Sequence, residues 1–320
     1  MKSKYYYLSV RYTLRQLEYF VAAAETGTLS GAAARCHVSQ AGIALAVTDL
    51  ERALGVQLLL RRKAKGVTLT PAGQRVLADA RAVLGQAEEL QSTAEASGGQ
   101  LAGRLRLGCY TVLAPFFVPP LLDTFAAEHP LLRLDVVEDA QPELQRLLLD
   151  GAIEVALLYD RGLHPDIDHR LVKRLRPYVL LSADHRLARN PQVSLADLAD
   201  EPLIRLDLPP MTQGSEVSAA GRGAGASEWY RTPNLELVRC LVGRGLGYAV
   251  LVQHPLTEVT YDGRRVTALP IADEVPDVSV VLAHPRGAQL TRRAEALGRF
   301  CAAILSAADH VEHGAAPASG

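Results

Sequence analysis

The stretch Arg35–Thr70, RCHVSQAGIALAVTDLERALGVQLLLRRKAKGVTLT, decides the fold of the N-terminal part of this chain. An apolar residue recurs in it at the spacing i, i+4, i+7, i+11, on Ile43, Val47, Leu50 and Leu54. This spacing predicts a helix with one apolar stripe. Ser39 is a natural N-cap for that helix, because its hydroxyl can accept a hydrogen bond from a backbone N–H of the first turn.

The residues before Ser39 predict a second, shorter helix. Leu29–Cys36 reads LSGAAARC, whose small residues permit close packing, and His37-Val38 form a tight connection to the next helix. Two short helices joined in this way describe a helix-turn-helix, whose second helix can lie in the major groove of DNA.

A short β-hairpin is predicted directly after this unit. Gln57–Leu60 and Val67–Leu69 can pair as strands around a tip that carries four cations, Arg61, Arg62, Lys63 and Lys65. A cluster of charge on a loop is often only a solvated surface. Its position after a helix-turn-helix favours phosphate contacts by a wing instead.

The segments that flank this region follow a known order. Leu14–Phe20 reads LRQLEYF and opens a preceding amphipathic helix, Leu50–Leu58 reads LERALGVQL, and Leu69–Gly73 reads LTPAG. Together with the HVSQ turn, these motifs resemble the LysR-type transcriptional regulators. The resemblance is continuous from about Leu14 to Gly73.

The distribution of charge agrees with binding to nucleic acid at one end of the chain. Residues 1–70 contain ten Lys and Arg against four Asp and Glu, whereas the remaining residues contain 24 against 31. A basic module on an acidic body is the pattern expected of a DNA-binding protein.

Composition excludes several other classes. No run of about 18 apolar residues is present, so we expect no membrane span, and the N-terminus lacks the features of a secretion signal. The four cysteines are far apart and show no metal-binding or disulfide spacing. We therefore expect a cytoplasmic protein with neither a metal site nor a cofactor.

Thr70 and Pro71 begin a long helix. Its apolar positions step by four and three residues up to the Ser97-Gly98-Gly99 stop; they are Val76, Ala80, Val83, Ala87, Leu90 and Ala94. This coiled-coil seam favours a linker that joins two copies, although a seam of such small residues could also pack onto its own protein. The resemblance to the family implies a dimer or a tetramer.

From Gly103 onward, strands and helices alternate, which predicts an α/β fold. The resemblance implies a two-lobed, periplasmic-binding-protein-like (type 2) effector domain with crossovers near Tyr159–Pro165 and Ala268–Pro276. We therefore predict a multidomain protein of the α and α/β classes: a winged helix-turn-helix, a linker helix and this effector domain. The expected boundaries are an extension (1–12), the DNA-binding domain (13–70), the linker (71–98), lobe I (103–165 and 276–308), lobe II (166–275) and a disordered tail (309–320).

Candidate DNA-binding residues lie at helix N-termini, on the outer face of the second helix and on the wing. They are Thr28, Ser30, Ser39, Gln40, Ala41, Ala44, Thr48, Arg61, Arg62, Lys63, Lys65 and Thr70. Gln40 can pair with adenine in the major groove. Relatives commonly carry Pro and Ser where this chain has Ala41 and Ala44, which leaves methyl groups in place of hydrogen-bonding groups and puts the target sequence in doubt.

The resemblance implies a second site, in the cleft between the lobes, for a small organic effector that is often anionic. The candidate residues are Tyr110, Thr111, Tyr159, Leu208, Pro209, Asn234 and Gly247. Thr111 follows a strand where a helix begins, so it could cap that helix or help to bind an anion.

These observations predict a transcription regulator that binds double-stranded promoter or operator DNA and is controlled by an effector, not an enzyme. One alternative is a small-molecule binding protein or enzyme that uses the two-lobed domain and keeps the N-terminal module for assembly. Another is a scaffold that assembles through the linker helix alone. Residues 211–225 are rich in Gly, Ser and Ala and leave the shape of the cleft open.

Overall fold

The computed structural model describes residues 10–62, 66–95, 100–210, 228–255 and 257–314. They form two compact units, Met1–Gly103 with Leu147–Ile153, and Arg104–Arg146 with Glu154–Gly320. Within the described ranges, no helix combines the length and the apolar character needed to cross a membrane.

The first unit begins with three helices: α1 (Leu14–Thr26), α2 (Leu29–Cys36) and α3 (Gln40–Leu54). Each starts at a side chain that caps it, and α1 and α3 end at glycines in the left-handed conformation. Three residues of the predicted apolar stripe of α3 are buried, with Ile43, Val47 and Leu50 at most 2% exposed, whereas Leu54 at the end of the helix is 36% exposed. Strong local caps and helical periodicity therefore account for this part of the fold.

A two-stranded hairpin and a long helix complete the N-terminal unit. Strands β1 (Leu59–Arg62) and β2 (Gly66–Leu69) pair antiparallel, and α4 runs over Pro71–Glu95. The first turns of α4 bury Leu77 and Ala80 in the core of this unit. Farther along, Val83 is 38% and Leu90 74% exposed.

The second unit contains a five-stranded sheet in the order β4-β3-β5-β12-β6. Its strands are β3 (Gly103–Tyr110), β4 (Leu132–Asp139), β5 (Val155–Tyr159), β6 (Ile167–Leu175) and β12 (Val278–Pro285). β3 and β5 are parallel, whereas β12 runs antiparallel to β5 and β6. We call this sheet and its helices lobe I.

The helices of lobe I connect its strands and complete it at the C-terminus. A helical segment with a π turn at Leu121–Phe125 joins α5 (Ala114–Pro120) to α6 (Ala126–Glu128). Helix α7 covers Gln141–Leu149, and the last helix covers Arg292–Gly314.

Lobe II is built on the antiparallel strands β10 (Ala249–Leu251), β7 (Tyr178–Ser182) and β11 (Val266–Pro270). Alternate residues of β7 enter two apolar clusters, Tyr178 and Leu180 on one face and Val179 and Leu181 on the other. The other elements in the described part of lobe II are β8 (Leu203–Leu206), β9 (Glu228–Thr232), a 3-10 turn (Leu195–Leu198) and a helix (Leu235–Gly243).

The structure differs from the sequence-based boundaries at two places. Ile167–Leu175, which we expected in lobe II, pairs with β12 at the edge of the lobe I sheet, so the chain leaves lobe I after Leu175 and not near Tyr159–Pro165. Its sequence, IDHRLVKRL, contains many charged residues and therefore lacks the apolar pattern by which a strand is predicted. The last helix continues to Gly314, into the expected tail, whereas residues 1–9, 96–99, 211–227 and 315–320 lie outside the described part.

Candidate functional site

Three of the candidate DNA-binding side chains cap helices. The Thr28 hydroxyl accepts from the Gly31 N–H at 3.0 Å, and the Ser39 hydroxyl accepts from the Gly42 N–H at 3.0 Å. Thr70 accepts from the Gly73 N–H at 2.8 Å and donates to the Gln57 carbonyl at 2.7 Å. These residues fix the starts of α2, α3 and α4, which sets the direction of the polar helix ends.

The outer face of α3 has the composition that the sequence predicts. Gln40 and Ala41 are exposed, Ala44 and Thr48 are half-buried, and Leu45 is 63% exposed. Ser30 is exposed at the start of α2. A face with one amide among aliphatic groups suits van der Waals contact with thymine methyls, beside a single bidentate amide.

Arg61 connects the wing to α3, a contact that the sequence did not reveal. Its guanidinium donates to the Thr48 hydroxyl at 3.2 Å and lies 3.4 Å from the Ala44 carbonyl oxygen. The Thr48 hydroxyl in turn donates to the Ala44 carbonyl at 2.8 Å. A cation is thus held beside the outer face of α3, where a phosphate or a base edge could reach it.

The wing is also fixed at its base. The Glu51 carboxylate accepts from the backbone N–H groups of Leu58 and Leu59, at 2.7 and 3.0 Å. On the second strand, the Val67 N–H donates to the Gly27 carbonyl at 2.8 Å. Of the predicted tip residues, Lys63 and Lys65 and the side chain of Arg62 lie outside the described part of the structure.

A cluster of charges joins α1 to α2 and α4. Glu25 accepts from Arg35 at 2.5 Å and from Arg81 at 2.9 Å. Burial acts to raise the pKa of Glu25, but the hydrogen bonds from the two guanidinium groups outweigh it and hold the pKa below its usual value. The ionised carboxylate therefore contributes to the attachment of α4 to the DNA-binding fold.

In the second unit, two predicted effector residues meet between the lobes. Tyr110 and Tyr159 end the parallel strands β3 and β5, are at most 1% exposed, and pack edge to face with ring centroids 5.6 Å apart. The side-chain amide of Gln253, which comes from lobe II, donates to the Tyr159 hydroxyl at 3.1 Å. The Tyr178 hydroxyl of lobe II donates to the Gln253 carbonyl at 2.7 Å.

A second contact between the lobes involves the predicted Leu208-Pro209 segment. Leu208, Pro209 and the next residue, Pro210, are half-buried. A Cβ at Gly162 of lobe I would lie 3.2 Å from the Pro210 Cβ of lobe II. The tyrosine pair and this contact lie between the lobes, and the tyrosines end the parallel strands β3 and β5. The carboxyl ends of parallel strands are where α/β sheets commonly bind ligands.

The other predicted effector residues have structural partners. The Thr111 N–H donates to the Asp139 carbonyl at 3.2 Å, and Thr111 does not cap α5, whose N-cap is Leu113. The Asn234 side chain caps the following helix, accepting from the Leu237 N–H at 3.1 Å. A Cβ at Gly247 would lie 2.2 Å from the Pro202 carbonyl oxygen, so this glycine permits close backbone packing.

Sequence reasoning missed two buried glutamines on α7. Gln141 donates to the carbonyls of Tyr159 and Arg161 and accepts from the Tyr159 N–H, at 3.1, 2.6 and 3.0 Å. Gln145, one turn later, accepts from the His164 N–H at 2.6 Å. Two glutamines four residues apart, on one face of a predicted helix, were the available signal.

Burial makes the thiols poorly reactive. It raises the pKa of Cys301 to about 12 and raises the pKa of Cys109 still further. Desolvation also raises the pKa values of Cys36 and Cys240, which are half-buried. Because the thiolate is the nucleophile, each of the four cysteines carries little of the reactive form at neutral pH.

Comparison with known proteins identifies both parts of the chain. Residues 14–74 match the model of the bacterial regulatory helix-turn-helix protein, lysR family, and residues 98–306 match the LysR substrate binding domain. The chain belongs to the LysR family. It is a DNA-binding transcription regulator with an effector-binding domain, which confirms the fold class and the function predicted from the sequence.

Several LysR-family relatives match most of the chain. The DNA-binding transcriptional dual regulator OxyR of Escherichia coli is 30% identical over 293 residues, covering 89% of this chain and 93% of OxyR. The Hca operon transcriptional activator HcaR of the same organism is 29% identical, with 86% and 92% covered. The HTH-type regulator YnfL of E. coli is 35% identical over 196 residues, 61% of this chain and 65% of YnfL.

Solved structures show the same architecture. A full-length OxyR variant from Pseudomonas aeruginosa aligns with a TM-score of 0.72 at 27% identity and covers 91% of this chain and 97% of its own. HinK, a LysR family transcriptional regulator from the same organism, aligns with a TM-score of 0.60 at 34% identity, with 91% and 98% covered.

Proposed function

We propose that the protein reads DNA with the outer face of α3 while the wing contacts the flanking phosphates. The observation that carries this proposal is the position of Arg61, whose guanidinium is held 3.2 Å from Thr48 beside that face. The N-caps of Thr28, Ser39 and Thr70 supply rigid polar helix ends for further phosphate contacts. Ser30, Gln40, Ala41 and Ala44 would face the groove, with Arg62, Lys63 and Lys65 at the wing.

In an oligomer, a second copy of the chain would supply a second DNA-binding unit related to the first by twofold symmetry. Val83 and Leu90 lie on the predicted seam of α4, and both are exposed apolar residues of the described helix. Burying such residues against a second copy removes apolar surface from water, which supports a dimer or a tetramer joined through α4. Two copies would present two α3 helices to one operator.

The cleft of the second unit would hold a small organic effector whose binding shifts the balance between two arrangements of the lobes. If the equilibrium between these arrangements is coupled to the two DNA-binding units of a dimer, effector binding changes their affinity for DNA. We propose that this control is non-enzymatic and operates in the cytoplasm, where the DNA target lies.

Some of the relatives are named hydrogen peroxide-inducible genes activators. These names suggest oxidation of a thiol as a second way in which the protein could be regulated. The raised pKa values of the four cysteines disfavour it, because the thiolate is the form that attacks peroxide. We therefore favour control by a bound molecule.

A mobility shift with DNA from upstream of the protein's own coding region tests the proposal. We expect retention at low salt and its loss in the double variant Arg61→Ala/Arg62→Ala, with the slope of log Kd against log salt reduced by about 2. Arg186→Ala removes a similarly exposed charge from lobe II and serves as the control. No retention of the wild type, or equal retention of the double variant, contradicts the proposal.

A further inference from the structure

One polar atom in the cleft has no hydrogen-bond partner. The Tyr110 hydroxyl oxygen is buried, and within the described ranges it makes no hydrogen bond. The neighbouring tyrosine differs in this respect, because the Tyr159 hydroxyl accepts from Gln253 at 3.1 Å. A buried hydroxyl without a partner is unfavourable, and a molecule that accepts its hydrogen would relieve that cost.

The Tyr110 hydroxyl is a neutral donor. Burial raises the pKa of Tyr110, so the phenol stays protonated at neutral pH. The pKa of Tyr159 is raised by burial, with smaller contributions from Tyr110 and Tyr178, while the hydrogen bond from Gln253 lowers it. The tyrosine pair therefore offers a neutral donor in an aromatic setting.

Two cations of the described residues beside the cleft are already engaged. Arg161 donates to the Asp277 carbonyl at 2.9 Å and lies 3.8 Å from the Asp160 carboxylate. Arg239, whose charge acts on Tyr178, is paired with Glu236 at 2.7 Å. A carboxylate placed against the tyrosine pair would lose its hydration and would have to compete with these partners for either cation.

One group expected to bind an anion is engaged as well. The Thr111 N–H donates to the Asp139 carbonyl, and the Asn234 side-chain oxygen accepts from the Leu237 N–H. An incoming anion would find the Thr111 N–H occupied, next to an exposed acidic residue, Asp139.

We propose that the Tyr110 hydroxyl anchors an uncharged effector, by donating its hydrogen to a carbonyl, amide or hydroxyl oxygen of that molecule. This inference rests on the proposed effector function of the cleft and narrows its ligand class from anionic to neutral. Because the hydroxyl is covered while Tyr159 and Gln253 join the lobes, the molecule enters when that contact opens. The bound molecule then stabilises the arrangement of the lobes in which the Tyr110 hydroxyl has a hydrogen-bond partner. A ligand can regulate the protein only if it binds one arrangement more tightly than the other, and this hydrogen bond provides that difference.

Matched neutral and anionic probes of the same shape test the ligand class on the full-length protein. Binding of benzamide and benzoate, and of propanamide and propanoate, is measured by ligand-observed NMR and calorimetry. We expect at least one amide to bind roughly tenfold more tightly than its carboxylate, and Tyr110→Phe to weaken that binding about fivefold. Tighter binding of the carboxylates, binding of neither class, or equal binding to the variant overturns the inference.

Thermal unfolding of the ligand-free protein provides a second, independent readout. Tyr110→Phe removes a hydroxyl without a partner and should leave the Tm unchanged or raise it, whereas Tyr159→Phe loses the bond to Gln253 and should lower it. A lower Tm for Tyr110→Phe than for Tyr159→Phe contradicts the unpartnered state of Tyr110. The mobility shift of the wild type on DNA is measured separately, so failure of the regulator function and failure of the ligand class are distinguishable.

Discussion

Substitution of Gly66 should weaken the attachment of the wing to the helix-turn-helix, and the backbone geometry at this residue determines by how much. This residue has φ +80°, and a Cβ there would lie 2.2 Å from the Gly27 carbonyl oxygen. Gly27 cannot retreat easily, because it is the left-handed C-cap of α1 and donates to the Ala23 carbonyl. Gly66→Ala should therefore push strand β2 away from the turn between α1 and α2.

The expected cost has three parts. The left-handed conformation costs a residue with a Cβ about 1–2 kcal/mol, and loss of the 2.8 Å bond from Val67 to Gly27 costs about 1 kcal/mol. Partial exposure of the Val67 side chain, now 7% exposed, adds about 1 kcal/mol. The matched control Gly55→Ala has φ +69° and no atom within 4 Å of its Cβ, so it should show only the first part.

Hydrogen exchange of the β2 amides, followed by mass spectrometry, measures this difference locally. We expect Gly66→Ala to lower protection of the Val67 amide by roughly thirtyfold more than Gly55→Ala does, which corresponds to about 2 kcal/mol. Affinity for DNA should fall in the same order, because the wing no longer holds its cations beside α3. Equal protection of Val67 in the two variants would refute the docking of the wing on this turn.

Three further predictions concern charge, buried amides and thiols. Because the pKa of Glu25 is lowered, its ion pairs stabilise the DNA-binding unit above about pH 4.5, the usual pKa of the carboxyl group. This stabilisation is lost as the pH falls through the lowered pKa. Glu25→Gln should therefore unfold at a lower temperature than the wild type at pH 7, and the difference should vanish in acid. Gln141→Ala removes three hydrogen bonds to the backbone of Tyr159 and Arg161 and should cost about 2–4 kcal/mol of unfolding free energy in chemical denaturation, more than Gln145→Ala. A smaller loss for Gln141→Ala than for Gln145→Ala would argue against this role of Gln141. Cys109 and Cys301 should resist a thiol reagent at neutral pH until the fold opens, and rapid labelling of either in the native protein would reopen thiol-based control.

The N-terminal fold could be predicted from sequence because its signals are local. Ser39 caps α3 as its position indicates, and the stripe of Ile43, Val47 and Leu50 is buried. A cap and a helical period each involve residues only a few positions apart. The contact of Arg61 with Thr48 spans 13 positions and depends on how the hairpin folds back, which no local pattern encodes.

The effector domain was harder to predict because its edges lack a hydrophobic pattern. Strand β6 carries four charged residues at the edge of a sheet, of which Arg170 and Arg174 are exposed, and β9 is exposed along most of its length, including Trp229. Tyr110 was proposed because it ends a predicted strand, whereas Tyr159 was proposed from the family resemblance; both lie at the ends of buried strands. Gln253 was missed because its importance comes from a partner 94 positions away, on the other lobe.

A footprint of the full-length protein on DNA from upstream of its own coding region tests the central claim most directly. If paired α3 helices enter the major groove and the wings grip the flanking phosphates, hydroxyl-radical cleavage should show protected stretches separated by one or more helical turns, about 10–10.5 base pairs each. The protection should weaken in Arg61→Ala. Absence of protection even at low salt, or protection that does not depend on Arg61, would contradict the claim.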